Sequence, residues 1–367
     1  MPPTPEEILS VFRTVTDPDS GKPLSELGEI TRAEFGARTE VDVALGLPFH
    51  DRRRELGALI ERAVRDLPGV NDVALRIRLD PGERQIPADD PVPGVKSVVL
   101  VMSGKGGVGK STVATNLAVG LARAGARVGL LDADLYGPSI PTMLGASGRL
   151  MGDGQKIIPL ERLGIKLVSI GFLLEDPHSA VVWRGPMLHG ALVQFLRDVD
   201  WGTLDYLLLD LPPGTGDVAI TLSQKVQASG AALVTTPQRV AVDDVMRAVT
   251  MCQKVGIAVL GVVENQSYFV CEHGSRYELF GAGGGQAVAD LAHAPLLGQI
   301  PLDPKVRRWA DEGTPVVEAE PGTPIAEAFC RVAGSLVVRV AEQHAKIARE
   351  IQHSRPPGRG RRLPVLR

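Results

Sequence analysis

The run Gly104-Lys105-Gly106-Gly107-Val108-Gly109-Lys110-Ser111 has the composition of a loop built to hold phosphate. Its glycines let backbone N–H groups converge on phosphate oxygens with no Cβ in the way. Lys110 is placed to reach the β- and γ-phosphates, and Ser111 to ligate Mg²⁺. Thr112 carries the cradle into a helix expected to start near Lys110, whose positive end favours an anion. An apolar run, Val98–Met102, precedes the loop, as this chemistry requires. The implied cofactors are ATP and Mg²⁺. A chance glycine-rich turn is the competing reading, and it does not explain the terminal Lys-Ser.

Carboxylates stand at the ends of two further apolar runs. Asp132-Ala133-Asp134 closes Val128–Leu131, and Asp210 closes Tyr206–Leu209. Ligands bind at the carboxyl ends of strands in an open parallel sheet, so these groups should fall beside the loop. Asp210 is the natural group to hold Mg²⁺ through water, with Asp132 assisting near the metal. Asp134 is the candidate for orienting the attacking water. A helix-capping role for Asp132 or Asp134 remains the plainer alternative. The chain continues Leu211-Pro212-Pro213-Gly214-Thr215-Gly216-Asp217, which suits either a loop that senses the γ-phosphate or an ordinary rigid turn.

Lys105 asks for its own explanation, because Lys110 already serves the bound phosphates. A solvated loop lysine is one answer. The loop also resembles the deviant Walker A loop of the ParA, MinD and nitrogenase-iron-protein superfamily. That resemblance implies a homodimer in which Lys105 crosses to the partner's nucleotide, stabilising charge during phosphoryl transfer. Lys105, Lys110, Asp134 and Asp210 are then the expected catalytic set of a slow, Mg-dependent ATPase.

Longer strings are similar to the Mrp branch of this superfamily: Asp132 to Gly145 (DADLYGPSIPTMLG), Trp183 to Met187 (WRGPM), Thr235 to Gln238 (TTPQ) and Phe280 to Gly285 (FGAGGG). The resemblance implies ATP-dependent carriage of iron–sulfur clusters, with apo iron–sulfur proteins and cluster scaffolds as partners. It also implies that Asn265 reads the adenine amino edge, while an Asx-type turn is the plainer role. Where many Mrp proteins have Cys-x-x-Cys, this chain has Cys271-Glu272-His273-Gly274. A dimer would therefore offer two thiolates, with His273 as an extra candidate, to an iron–sulfur cluster bridging the dimer. The alternatives for Cys271 are cluster binding or an inert cysteine. The small domain of Mrp proteins often carries a reactive cysteine, and the matching Leu47-Pro48-Phe49-His50 has none. Cys252 and Cys330 lie in apolar helical contexts and read as core residues. The other functional reading is a ParA-like nucleotide-switched dimer that positions DNA or protein partners without a cluster.

These residues need a scaffold. The 367-residue chain is long enough for two or three domains and 44% hydrophobic, as ordinary globular proteins are. Only 4% is aromatic and the formal charge is -3, so nucleic acid is not an expected partner. Three scattered cysteines argue for a reducing compartment, and the N-terminus lacks the basic and apolar regions of a signal peptide. No run reaches the roughly 18 apolar residues of a membrane span. The expected location is cytoplasmic, with no membrane partner.

Residues 1–80 read as a small α+β domain. Thr4-Pro5-Glu6-Glu7 opens a helix as a capping box, Val41–Leu45 alternates like a half-buried strand, Arg52–Leu67 has helical spacing, and a strand returns over Val73–Leu79. Residues 81–94, rich in proline, read as a linker. Residues 95–352 read as an α/β P-loop NTPase domain. Its apolar runs, which include Ala231–Val234, Val259–Val263 and Leu296–Ile300, suggest a mostly parallel sheet with helices on both faces. A helix from Pro324 to Ile351 closes the domain. Residues 353–367 read as a basic, disordered tail holding five arginines and no acid from Arg355 onward.

Overall fold

The structure, a computed structural model, describes all residues except 1–3, 18–20, 22, 35–37, 46–49, 81, 135–136, 153, 174–184, 215–221, 223–224 and 355–367. Residues 355–367 of the expected tail, the Thr215–Asp217 part of the switch-like loop, Trp183-Arg184 and Leu47-Pro48-Phe49 lie outside the described residues, whereas residues 353–354, expected in the tail, continue the closing helix.

The N-terminal part begins with α1 (Pro5–Thr14), closed by the expected capping box. Thr4 and Glu7 satisfy each other's backbone N–H groups, with proline in the first turn. A three-stranded sheet follows from β1 (Gly28–Glu34), β2 (Thr39–Leu45) and β3 (Val73–Leu79), with α2 (His50–Arg65) between the last two. β2 pairs antiparallel with β1 and parallel with β3. β1 carried no clear signal, because its residues are mostly exposed and polar.

The segment after β3 is pinned by Arg84. Its guanidinium is buried, donates to the carboxylate of Asp90 at 2.5 and 2.7 Å, and reaches the carbonyls of Val92 and Val95. A further bond to the Gln227 carbonyl at 3.3 Å ties the segment to the larger sheet.

That larger sheet is built from β4 (Val95–Ser103), β5 (Val128–Asp132), β6 (Leu160–Arg162), β7 (Ile165–Ser169), β8 (Leu204–Asp210), β9 (Gly230–Thr235), β10 (Val259–Glu264) and β11 (Leu296–Gln299). Their order is β11-β10-β9-β4-β8-β5-β7-β6, parallel except for the short edge strand β6. The short apolar runs are strands of this sheet, five of them central and the last, β11, at one edge. All seven residues of β8 are buried, as a strand covered on both faces must be.

One face is covered by α4 (Gly185–Asp198), α5 (Arg239–Val255) and α6 (Gly284–Ala292), and Cys252 lies fully buried there. The other is covered by α3 (Lys110–Arg123), a short α7 (Pro304–Asp311) near its edge, and the long α8 (Pro324–Ser354), with Cys330 half-buried against it. α8 also lends Val338 to the small domain's core, so one helix packs against both sheets. Among the described residues, no helix is long and apolar enough to cross a membrane.

Candidate functional site

β8 lies between β4 and β5, so three carboxyl-terminal strand ends open side by side under the phosphate loop. Parallel register sets Asp210 opposite Asp132 on β5 and opposite Val101 on β4. Buried residues along all three strands hold that register, because a one-residue slip would exchange the side chains packed into the two helix-covered faces.

The loop leaves β4 at Ser103, whose hydroxyl donates to the Lys105 carbonyl at 3.0 Å. Gly107 and Gly109 adopt φ of +84° and +81°, which turns successive N–H groups toward one concavity. Gly104 is required by close approach: a Cβ there would stand 2.2 Å from the backbone of Asp244 and Val245 in α5. α3 begins at Lys110 and directs its positive end into the same concavity.

Below the loop the expected side chains converge. Lys110 Nζ donates to Asp210 Oδ1 at 2.8 Å and stands 3.4 Å from Asp134 Oδ2. Ser111 Oγ donates to Asp210 Oδ2 at 2.6 Å. Asp132 Oδ2 accepts from Ser169 Oγ at 2.9 Å, and its Oδ1 accepts from the Asp134 N–H at 3.2 Å. Burial first, and then the charge of Asp210, push the Asp132 carboxyl up to about 8. Burial likewise raises Asp210, against the lowering pull of Lys110 and Ser111. Two buried carboxyl groups, with Asp134 at their rim, face one ammonium. The adjoining Ser111 hydroxyl and Asp210 carboxylate are the oxygen donors that a divalent cation with oxygen preference would take.

Lys105 is half-buried at the loop's mouth, and its ammonium has no hydrogen bond or ion pair among the described residues.

Asn265 reaches the loop from the other side. It follows β10, and its Nδ2 donates to the Val108 carbonyl at 2.9 Å. A Cβ on Gly109 would stand 2.2 Å from that nitrogen. Beside it opens a cavity of about 240 Å³, bounded by Gly109, Thr112, Asn265, Gln266, Pro301 and Arg307. The sequence reading missed the far wall of this cavity. Its signal was Asp303-Pro304, an N-cap followed by proline, and Asp303 accepts from the Lys305 N–H at 2.8 Å. Ser169, the partner of Asp132, carried no signal at all.

Cys271 stands apart, in a hairpin of Phe269–Val270 with Arg276–Tyr277. Hydrogen bonds to its sulfur, chiefly from the His273 backbone and then from Ser275, hold the thiol below its ordinary value. Gly274, where a second cysteine was absent from the sequence, takes a left-handed φ of +79° in that turn. Among the described residues, no group of three or more His, Cys, Asp or Glu could hold a metal within one copy.

Known proteins share this arrangement. The family model described as the NUBPL iron-transfer P-loop NTPase matches residues 94–337, and one described as an iron–sulfur cluster assembly protein matches residues 5–76. An "iron-sulfur cluster carrier protein" of Synechocystis is 44% identical over 92% of this chain and 98% of its own length. Its counterpart in Deinococcus radiodurans is 46% identical over 92% and 95%. The human "cytosolic Fe-S cluster assembly factor NUBP2" is 48% identical over 66% of this chain and 93% of its own. Among solved structures, a nucleotide-binding protein of Archaeoglobus fulgidus in complex with ADP is 40% identical, with a TM-score of 0.55 over 64% of this chain and 92% of that one.

Proposed function

The chain belongs to the NUBPL-type iron-transfer P-loop NTPase family, and from that premise we propose that it is an ATP-driven iron–sulfur cluster carrier acting as a homodimer in the cytoplasm. The observation that carries the ATPase part is the convergence of Lys110, Ser111, Asp134 and Asp210 at adjoining strand ends beneath the loop. Family membership carries the cargo part.

In the proposed mechanism the loop's N–H groups and Lys110 bind the phosphates, exchanging the Lys110–Asp210 contact for the triphosphate. Ser111 and Asp210 would hold Mg²⁺, with Asp132 assisting near the metal. Bound Mg²⁺ supplies neutralisation of the charge that develops on the phosphoryl oxygens. Asp134, at the rim of the cluster, orients the attacking water. Lys105, with no partner among the described residues of its own copy, meets the nucleotide of the second. Val240 at the start of α5 and Val270, Tyr277 and Leu279 around the Cys271 hairpin are exposed apolar side chains that a second copy would cover. Asn265 Nδ2 is occupied by Val108, which leaves Oδ1 to accept from the adenine amino group.

The cargo is an iron–sulfur cluster delivered to apo-proteins. Each copy offers the Cys271 thiol, pre-set by backbone N–H groups toward the thiolate that iron binds. The test is anaerobic reconstitution with iron and sulfide, read by visible absorption and by activation of an apo iron–sulfur enzyme. Wild type should develop the absorption and transfer it, and Cys271→Ser should not. Transfer no better than from free iron and sulfide would refute the carrier role.

A further inference from the structure

Glu264 ends β10 and is fully buried, yet among the described residues no lysine or arginine pairs with it. Its two oxygens serve three neutral donors. Oε1 accepts from Ser267 Oγ at 2.5 Å and from Gln299 Nε2 at 2.8 Å, and Oε2 accepts from the Gly285 N–H at 2.5 Å. Gly285 lies in the first turn of α6, so the carboxylate faces the positive end of that helix. The approach is close enough that a Cβ on Gly285 would stand 2.7 Å from Glu264 Cβ. Burying a carboxylate is costly unless every site on it is used, and here each oxygen has at least one donor.

What this knot holds is the next residue. The Asn265 N–H donates to the Thr235 carbonyl, the Ile300 N–H to the Glu264 carbonyl and the Ser267 N–H to the Ile300 carbonyl, all within 2.8–2.9 Å. Between them Gln266 is forced to a φ of +54°, unusual for a side-chain-bearing residue. Glu264 thus clamps Ser267, Gln299 and the start of α6 around a turn from which the Asn265 amide reaches the phosphate loop.

We propose that Glu264 is a positioning residue for base recognition: its carboxylate fixes the strained Asn265–Gln266 turn so that the Asn265 amide meets the adenine edge beside Val108. The inference rests on the reading that Asn265 recognises adenine. Glutamine cannot replace the carboxylate, because it accepts at one oxygen only and sets an NH₂ against a donor.

The test is titration of the full-length protein with Mg-ATP and with Mg-inosine triphosphate, whose base carries a carbonyl in place of the amino group. Glu264→Gln should lower the preference for ATP over inosine triphosphate roughly tenfold, the scale of one buried donor left unpaired. Ser267→Ala removes a single donor and leaves the α6 contact intact, so it should move the preference the same way by a smaller factor even if Glu264→Gln folds poorly. A merely structural role would weaken both nucleotides alike. Equal weakening of both, or a wild-type preference in Glu264→Gln and Ser267→Ala, overturns the inference while Asn265→Ala still shifts the preference. If Asn265→Ala itself leaves the preference unchanged, the base-reading role fails and the positioning role falls with it.

Discussion

Asp210 and Asp132 face one another across the pairing of β8 and β5, both fully buried, with Lys110 Nζ 2.8 Å from Asp210. Burial raises both carboxyls, with the charge of Asp210 adding to the rise at Asp132, to about 8 against an ordinary 3.8, and that of Asp134 adding to the rise at Asp210. Between those values the nucleotide-free folded chain binds a proton that the unfolded chain has released. That stabilising contribution is complete below the lower value and fades as pH rises through the upper one. Thermal melts of nucleotide-free protein should therefore show Tm falling from about pH 5 to about pH 8, with Asp132→Asn flattening the slope. A slope identical in both proteins would contradict the pairing.

The two loop lysines should separate cleanly. Lys110→Ala removes the phosphate-binding ammonium and should weaken ATP binding by roughly a hundredfold or more, as loss of a strong charge-assisted contact predicts. Lys105→Ala should leave ATP binding near wild type while lowering turnover by about a thousandfold, the scale of a cation supplied in trans to phosphoryl transfer. Equilibrium titration and phosphate release read the two effects separately. Normal turnover in Lys105→Ala would remove the in-trans role.

Gly109→Ala tests the contact between loop and base site. The new methyl would fall 2.2 Å from Asn265 Nδ2, on a backbone whose φ of +81° already disfavours a side chain. Asn265 must withdraw or the loop must shift, so ATP affinity should fall by at least tenfold with little change in Tm, the strain being a local one of roughly 1–2 kcal/mol. Titration calorimetry paired with a melt distinguishes this from unfolding.

The cysteines should react in a fixed order. Backbone hydrogen bonds hold the Cys271 thiol low, whereas burial pushes Cys252 up to about 11. A limiting amount of iodoacetamide at neutral pH should label Cys271 ahead of Cys252, as peptide mass mapping would show.

Arg84→Met should destabilise the chain by about 3–5 kcal/mol, because Asp90 would be left buried with no cation. Denaturant unfolding measures the loss. Replacing both residues with apolar ones should recover much of it.

Much of this was legible in the residues. Each of the six apolar runs of the larger domain falls on a strand: five are central and extend beyond the run where neighbours prolong the pairing, while Leu296–Ile300 ends one residue sooner, at Gln299, in an edge strand. The capping box at Thr4 closes as its spacing implied, since capping is local. The edge strand β6 and the polar β1 were not legible, having little apolar alternation to betray them, nor was β7 (IKLVS), whose apolar run is broken by Lys166.

The phosphate loop could be read directly because its chemistry is consecutive backbone: glycine spacing sets the N–H directions whatever lies around it. The same holds for the carboxylates that end apolar runs. Tertiary structure alone decided which of those ends meet, by placing β8 between β4 and β5. It alone carried the Asn265 amide to a loop carbonyl 157 positions away and drew Ser169 to Asp132. Contacts of that kind depend on strand order and packed register, and no local preference encodes them.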